Sequence, residues 1–176
     1  MKKLEKKLRK SIGLDEKHRL ENLKRYKILY AKTESVFDQL AAFTATMLNA
    51  PIAIINFVDR ESVWVKADES SQPTAGLFEE ESNLCSLAII NESAFAFEGF
   101  AERPQLMSNA LIAGEAGLQF YAAAAITTDE GFNVGSVCIV DKKRREFLPH
   151  EQEQLEWVAS MVRREMNKKI AGKICV

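Results

Sequence analysis

The sequence predicts an α+β domain in which one antiparallel β-sheet carries packed helices. Three observations lead there. Runs rich in β-branched residues come in hairpin pairs, 52–58 with 63–67 and 118–126 with 134–140. Helix-spaced apolar patterns precede the first pair and follow the second. Hydrophobic residues make up 47% and charged residues 28% of 176 positions, the balance of a single globular domain with a sizeable core.

That composition also excludes several classes. No apolar run approaches the roughly 20 residues needed to span a bilayer, and the basic N-terminus is followed by no apolar stretch of a secretory signal. Cys85, Cys138 and Cys175 are an odd number without Cys-x-x-Cys spacing, and His18 and His150 lie far from them in sequence. Neither a disulfide framework nor a zinc site fits, so reduced thiols in a cytoplasm are expected. Residues 1–30 hold eleven Lys or Arg against four Asp or Glu, and the remainder thirteen against twenty-one. A basic stretch can mark nucleic-acid or membrane contact. With only Tyr26 and Tyr30 to stack on bases, a solvated helix is the expectation, with neither nucleic acid nor membrane as partner.

The elements follow in order. Leu4, Leu8 and Ile12, then Leu20, Leu23 and Ile28, sit at helical spacing in a leading segment over 1–30, interrupted at Ser11-Ile12-Gly13. Its apolar stripe is narrow, which suits docking along a domain edge or pairing with a second copy. Thr33 reads as the N-cap of a second helix with Val36, Phe37, Leu40, Ala41, Thr44, Met47 and Leu48 on its buried face; Asn49-Ala50-Pro51 ends it. Ile52–Val58 reads as a strand covered on both faces, and Val63–Ala67 completes a hairpin. Residues 70–81 are a loop. Ser82 is expected to cap a short helix over Leu84–Ile90, and Ala94–Phe97 is a third strand. Residues 98–116 form a long irregular segment with one possible helical turn, of the kind that serves as a lid or binding loop. Asp129-Glu130-Gly131 joins the second hairpin, and Pro149 opens the last helix, with Leu155, Val158, Ala159, Val162 and Met166 along one face.

Several phrases, in this order and spacing, resemble the GAF domain family over Phe37 to Met166. They are Ala50-Pro51-Ile52-Ala53-Ile54-Ile55-Asn56-Phe57-Val58-Asp59, Asn83-Leu84-Cys85-Ser86-Leu87-Ala88-Ile89 and Phe120-Tyr121-Ala122-Ala123-Ala124. Gly135-Ser136-Val137-Cys138-Ile139-Val140-Asp141 and Phe147-Leu148-Pro149-His150-Glu151-Gln152 complete the set. The resemblance implies a PAS-like, six-stranded antiparallel sheet with helices on both faces, a domain over 31–170 behind a leading helix over 1–30, and a tail over 171–176. It further implies a sensory or regulatory signalling module, dimeric through its leading and trailing helices. A small molecule would sit between one sheet face and a cover formed by 70–90 and 98–116. With no output domain evident, a separate signalling partner is expected to carry the response. The alternative is a ligand-free dimerisation or interaction module.

Departures from the family's pattern bear on function. Leu87 stands where one bacterial subgroup has histidine, Ala125 where proline is usual, and Leu148 where Ser caps the last helix. The segment after the third strand lacks the cysteine that attaches a bilin, and the Asn-Lys-Phe-Asp-Glu pattern of the cyclic-nucleotide branch is missing. Cys85 is the sharpest chemical candidate: in the first turn of a helix capped by Ser82, the dipole would favour its thiolate. The plainer alternative is a small buried hydrophobe, the usual lot of a free cysteine. Cys138, mid-strand, reads as core. A thiol-dependent methionine sulfoxide reductase would need several cysteines clustered around the pocket. The ligand-binding candidates are Cys85, Glu98, Arg103, Asn109, Phe120 and Tyr121, with Arg103 suited to an anion and at most one of the adjacent aromatics facing the pocket. No catalytic residue, metal ligand or cofactor is assigned, and the expectation is a protein that is not an enzyme.

Overall fold

All seven residues of β1 (Ile52–Val58) are buried, so this strand has no solvent face. In the computed structural model, which describes residues 15–29, 34–60, 62–70, 82–100, 110–114 and 117–172, β1 lies inside a fully antiparallel sheet. Around it stand β2 (Val63–Ser70), β3 (Phe95–Phe97), β4 (Phe120–Thr127) and β5 (Asn133–Asp141), in the order β2-β1-β5-β4-β3. Alternate residues of each strand point to opposite faces. Ala53, Ile55 and Phe57 join one core, and Ile52, Ile54 and Val58 the other. The unbroken apolar runs in the sequence are the consequence: both faces are covered, so neither strand can alternate with polar residues.

The first face carries three helices. They are α1 (15–25), α2 (Ser35–Met47) and the long α5 (Pro149–Ala171). Phe37, Ala41 and Thr44 of α2 are buried at spacings of four and three, and Leu155, Val158, Ala159, Val162 and Met166 of α5 form the face read from the sequence. The leading segment is not simply solvated, because Leu23 of α1 and Tyr26, Ile28 and Leu29 just after it belong to this core. Arg19 is only 6% exposed. Its Nη1 donates to the Val58 carbonyl at 2.7 Å and its Nε to Glu16 Oε2 at 2.7 Å. Lys66 Nζ of β2 donates to the Leu29 carbonyl at 3.0 Å and fixes the segment after α1 to the sheet.

The second face is covered by α3 (Ser82–Ile89) and the single turn α4 (Ala110–Ala113). The expectation of helices on both faces therefore holds, but the described residues supply five strands and not six. A sixth would need another β-branched run, and the residues flanking β3 (Ala94 and Glu98-Gly99-Phe100) provide none. Among the described residues, no helix is long and apolar enough to cross a membrane.

Two helix starts also differ from expectation. Glu34 occupies the N-cap of α2 without a side-chain bond, while Thr33 lies outside the described residues. Ser82 is the first residue of α3 and does not precede it. Leu148, which has no polar side chain, sits at the N-cap of α5, and Glu151 compensates: its Oε2 accepts the Leu148 N–H at 2.9 Å. This is one half of a capping box.

Candidate functional site

Strand pairing brings polar side chains together on the face under α3. Asn56 of β1 pairs with Ser136 of β5, and Ile54 pairs with Cys138. On the other side of β5, Ala123 and Ala125 of β4 pair with Cys138 and Ser136, and Tyr121 with Val140. Asn56, Ser136, Cys138 and Tyr121 are each 0% exposed.

These polar groups are satisfied within the protein, but not equally well. The Ser136 hydroxyl donates to Asn56 Oδ1 at 3.1 Å. The Asn56 amide donates to Cys85 Sγ at 3.5 Å and lies 3.9 Å from Cys138 Sγ. Sulfur is a weak acceptor, so this buried amide is underserved. Tyr121 donates its hydroxyl proton to the Leu84 carbonyl at 3.2 Å, in the first turn of α3. At the far end of α3, Asn133 Nδ2 donates to the carbonyls of Ile89 at 3.0 Å and Asn91 at 3.2 Å. The cover helix is thus held to the sheet at two points. Phe95, Phe97 and Phe100 build an aromatic wall next to Tyr121, with Phe97 stacked on the Tyr121 ring at 6.3 Å between centroids.

Burial decides the electrostatics. Desolvation pushes the Cys85 thiol up to about 12, although the hydrogen bond with Tyr121 works the other way. The helix dipole cannot compensate for the loss of water around a thiolate, because Cys85 is the fourth residue of α3 and 0% exposed. Of the two readings of Cys85, this burial fits the small buried hydrophobe and not the low-pKa thiol. Cys138 and Tyr121 are likewise held well above their ordinary values, by burial first and by their closeness to neighbouring thiols second. Among the described residues no group of three or more His, Cys, Asp and Glu could hold a metal ion.

Of the six residues read as ligand contacts, Cys85 and Tyr121 meet at this cluster. Phe120 points to the opposite face, where its ring lies 6.2 Å from Phe147 and 5.2 Å from the Arg145 guanidinium carbon. Exposed Glu98 does not converge on the cluster either; its Oε1 accepts the Phe147 N–H at 2.7 Å. Arg103 and Asn109 lie outside the described residues. Sequence reasoning missed Asn56 and Ser136. Their signal was present: each is the polar interruption of an otherwise apolar strand, at a position that alternation assigns to the cover face.

A GAF domain profile matches residues 32–166. One relative, a cyclic di-GMP phosphodiesterase of Pseudomonas aeruginosa, is 29% identical over 122 residues, which are 67% of this chain; the chain spans 20% of that protein's length. A domain of a two-component sensor histidine kinase protein from Sinorhizobium meliloti superposes with a TM-score of 0.65 at 14% identity, covering 82% of this chain and 96% of that one. The GAF domain of an Acinetobacter phosphoenolpyruvate-protein phosphotransferase superposes at 0.61 with 14% identity, covering 92% and 93%. A type II free methionine-R-sulfoxide reductase from Thermoplasma acidophilum does so at 0.61 with 12% identity, covering 77% and 93%. At such identities the structural likenesses speak for the fold alone, whereas the profile spans most of the chain: this protein belongs to the GAF domain family, whose members serve as signalling and sensor modules.

Proposed function

We propose that this chain is a cytoplasmic regulatory module that reads a small molecule on the sheet face under α3 and passes the result to its helices and to a separate partner protein. The observation that carries the reading is the Asn56 amide, buried against two sulfurs. A domain that served only as a scaffold would be more stable with an apolar side chain there, since each buried polar group costs free energy unless well bonded. A ligand carbonyl or carboxylate between α3 and β5 would give that amide a stronger acceptor. The aromatic wall of Phe95, Phe97 and Tyr121 would take an apolar or ring portion. Loss of the bond from Tyr121 to Leu84 would free α3 to move.

Non-enzymatic action fits the chemistry of Cys85, whose thiol stays protonated at neutral pH. The matched segment is a fifth of the phosphodiesterase relative, which is the proportion expected of a regulatory part shared with a larger enzyme. Native mass spectrometry of protein purified from its own host tests the proposal. A retained small molecule, lost in Asn56→Leu, is expected. A bare protein whose melting temperature no metabolite raises would overturn it.

A second reading is a ligand-free interaction module. It is favoured by the fact that Asn56, Ser136 and Tyr121 all find partners inside the protein. In either case we infer a homodimer. The apolar stripe of α1 is consumed by its own domain, so the remaining helical surface is that of α2 and α5, where Phe43 and Trp157 are 46% and 50% exposed.

A further inference from the structure

Acidic and basic residues are segregated along α5. From Pro149 to Trp157 the helix has three Glu and no Lys or Arg, and from Arg163 to Ala171 it has four Lys or Arg and one Glu. The helix dipole favours acids in the first turn and bases in the last, and its effect fades beyond them. Glu153 and Arg164 lie outside both turns, so the dipole does not account for them. At roughly 100° per residue, Glu153, Trp157, Ser160, Met161, Arg164 and Lys168 fall within about 100° of arc. That arc is nearly opposite the buried Leu155, Val158 and Val162.

The order of these residues is complementary to its own reverse. Glu153 and Lys168 stand equally far from the midpoint between Ser160 and Met161, and so do Trp157 and Arg164. Two copies of the helix laid antiparallel across that midpoint bring Glu153 of one against Lys168 of the other, and Trp157 against Arg164, each twice. An isologous twofold contact has this reciprocity. A parallel pair would instead set Glu153 against Glu153 and Lys168 against Lys168. Among the described residues, neither Glu153 nor Arg164 forms an ion pair within the chain. Lys168 Nζ holds Glu165 at 2.6 Å, and an ammonium keeps further N–H donors. Trp157 packs on Phe43 with half its surface open. The Ser160 hydroxyl donates to the Trp157 carbonyl at 2.6 Å, so it can be covered without losing its partner.

We propose that the outward face of α5 binds the same face of a second copy, antiparallel, with the twofold axis between Ser160 and Met161. This rests on the homodimer inferred above and adds its register and direction. The Arg164 guanidinium of each copy lies over the Trp157 ring of the other, a cation–π contact. Glu153 pairs with Lys168 at both ends of the contact. Phe43 of α2 widens the apolar strip beside each Trp157. The charges set the direction of pairing, while Trp157, Phe43 and Met161 supply the apolar area.

Cross-linking reads the register. Cys175→Ser leaves Cys85 and Cys138, both buried, as the native thiols. In that background, Glu153→Cys and Lys168→Cys proteins are treated with a short bismaleimide, each alone and after incubation together to exchange subunits. The mixture is expected to give a covalent dimer and neither protein alone, because like positions lie about 22 Å apart along the axis. Glu153→Lys should weaken the dimer about tenfold, as two attractions become repulsions, and adding Lys168→Glu should restore most of it. Both side chains are exposed, and circular dichroism confirms that the variants fold. Light scattering over a concentration series separates the failures. A monomer throughout overturns the homodimer and the register with it. A dimer whose single-cysteine proteins cross-link to themselves, or whose mixture does not cross-link, overturns the antiparallel pair and leaves a homodimer of another geometry. A charge swap that restores nothing overturns the pairing of Glu153 with Lys168.

Discussion

Asn56 and Ser136 sit opposite one another across the β1–β5 pairing, and the serine hydroxyl donates to the asparagine carbonyl at 3.1 Å with both side chains fully buried. Ser136→Ala removes that donor and strands the Asn56 oxygen, so it should destabilise the fold by about 1–3 kcal/mol. Asn56→Leu removes the need for the donor altogether. The double variant should then cost clearly less than the sum of the singles, and urea denaturation of all four proteins measures the coupling. Strict additivity would mean that the pair is not a unit.

Cys85 carries a prediction in pH. Its folded pKa of about 12 lies above the ordinary thiol value of 9.0. Between those values the unfolded chain loses a proton that the folded chain keeps, so stability falls as pH rises from about 9 towards 12. Cys138 and Tyr121 shift in the same direction and add to the loss. Lys66, held below its ordinary value by burial, opposes it. Cys85→Ala should therefore flatten the alkaline side of a melting-temperature profile without abolishing its slope. At neutral pH, iodoacetamide should modify Cys85 and Cys138 only as fast as the protein opens. Labelling within seconds under native conditions would contradict the burial argument.

Much of this architecture was legible because it rests on local patterns. The buried run of β1, the stripe of α5 and the Gly131 turn, with φ of 89°, each announce themselves within a few residues. The cluster under α3 was not legible in the same way. Asn56 and Ser136 are eighty residues apart, and only the register of β1 on β5 makes them neighbours. The two readings of Cys85 could not be separated in sequence for a related reason. Its place in the first helical turn is a local fact, whereas the desolvation that governs its thiol comes from β1, β4 and β5 packing above it. The basic composition of the leading segment likewise hid Arg19, a charged residue turned inward to the Val58 carbonyl.

Glu151 performs two tasks that a typical serine cap performs only in part. It accepts the Leu148 N–H at 2.9 Å and forms an ion pair with Arg145, whose Nη1 also donates to the Leu48 carbonyl at 3.0 Å. The carboxylate thus ties the start of α5 to the end of α2. Glu151→Ala would leave the half-buried Arg145 guanidinium with only the Leu48 and Asn49 carbonyls and the Leu148 amide without its acceptor. A loss of about 2–4 kcal/mol is expected, more than a surface ion pair would give. Replacing Leu148 with Ser in that background should recover a part of it, roughly 1 kcal/mol, by restoring a side-chain cap. Equilibrium denaturation reads both changes.

Phe43 and Trp157 form an exposed aromatic pair, with ring centroids 5.9 Å apart, between α2 and α5. If the proposed homodimer uses this surface, Trp157→Glu should convert dimer to monomer in light scattering after size exclusion. Monomer stability should change by no more than about 0.5 kcal/mol, as for surface positions generally. A dimer that survives the substitution would place the interface elsewhere.

Two glycines separate backbone freedom from close approach. Gly131 has φ of 89° with open space around it, so an added methyl group meets no atom but the backbone is strained. Alanine there should cost on the order of 1–2 kcal/mol. Gly135 is a different case: a Cβ would lie 2.1 Å from the Asn56 carbonyl oxygen and 2.9 Å from Phe57 Cδ1. Backbone atoms of β1 cannot yield as a flexible side chain would, so β5 must move away from β1 at the rung beside Asn56 and Ser136. Gly135→Ala should therefore exceed the usual overpacking cost of about 1–3 kcal/mol and should also weaken any ligand held under α3. A Gly135→Ala protein as stable as Gly131→Ala would show that the strands have slack at this rung.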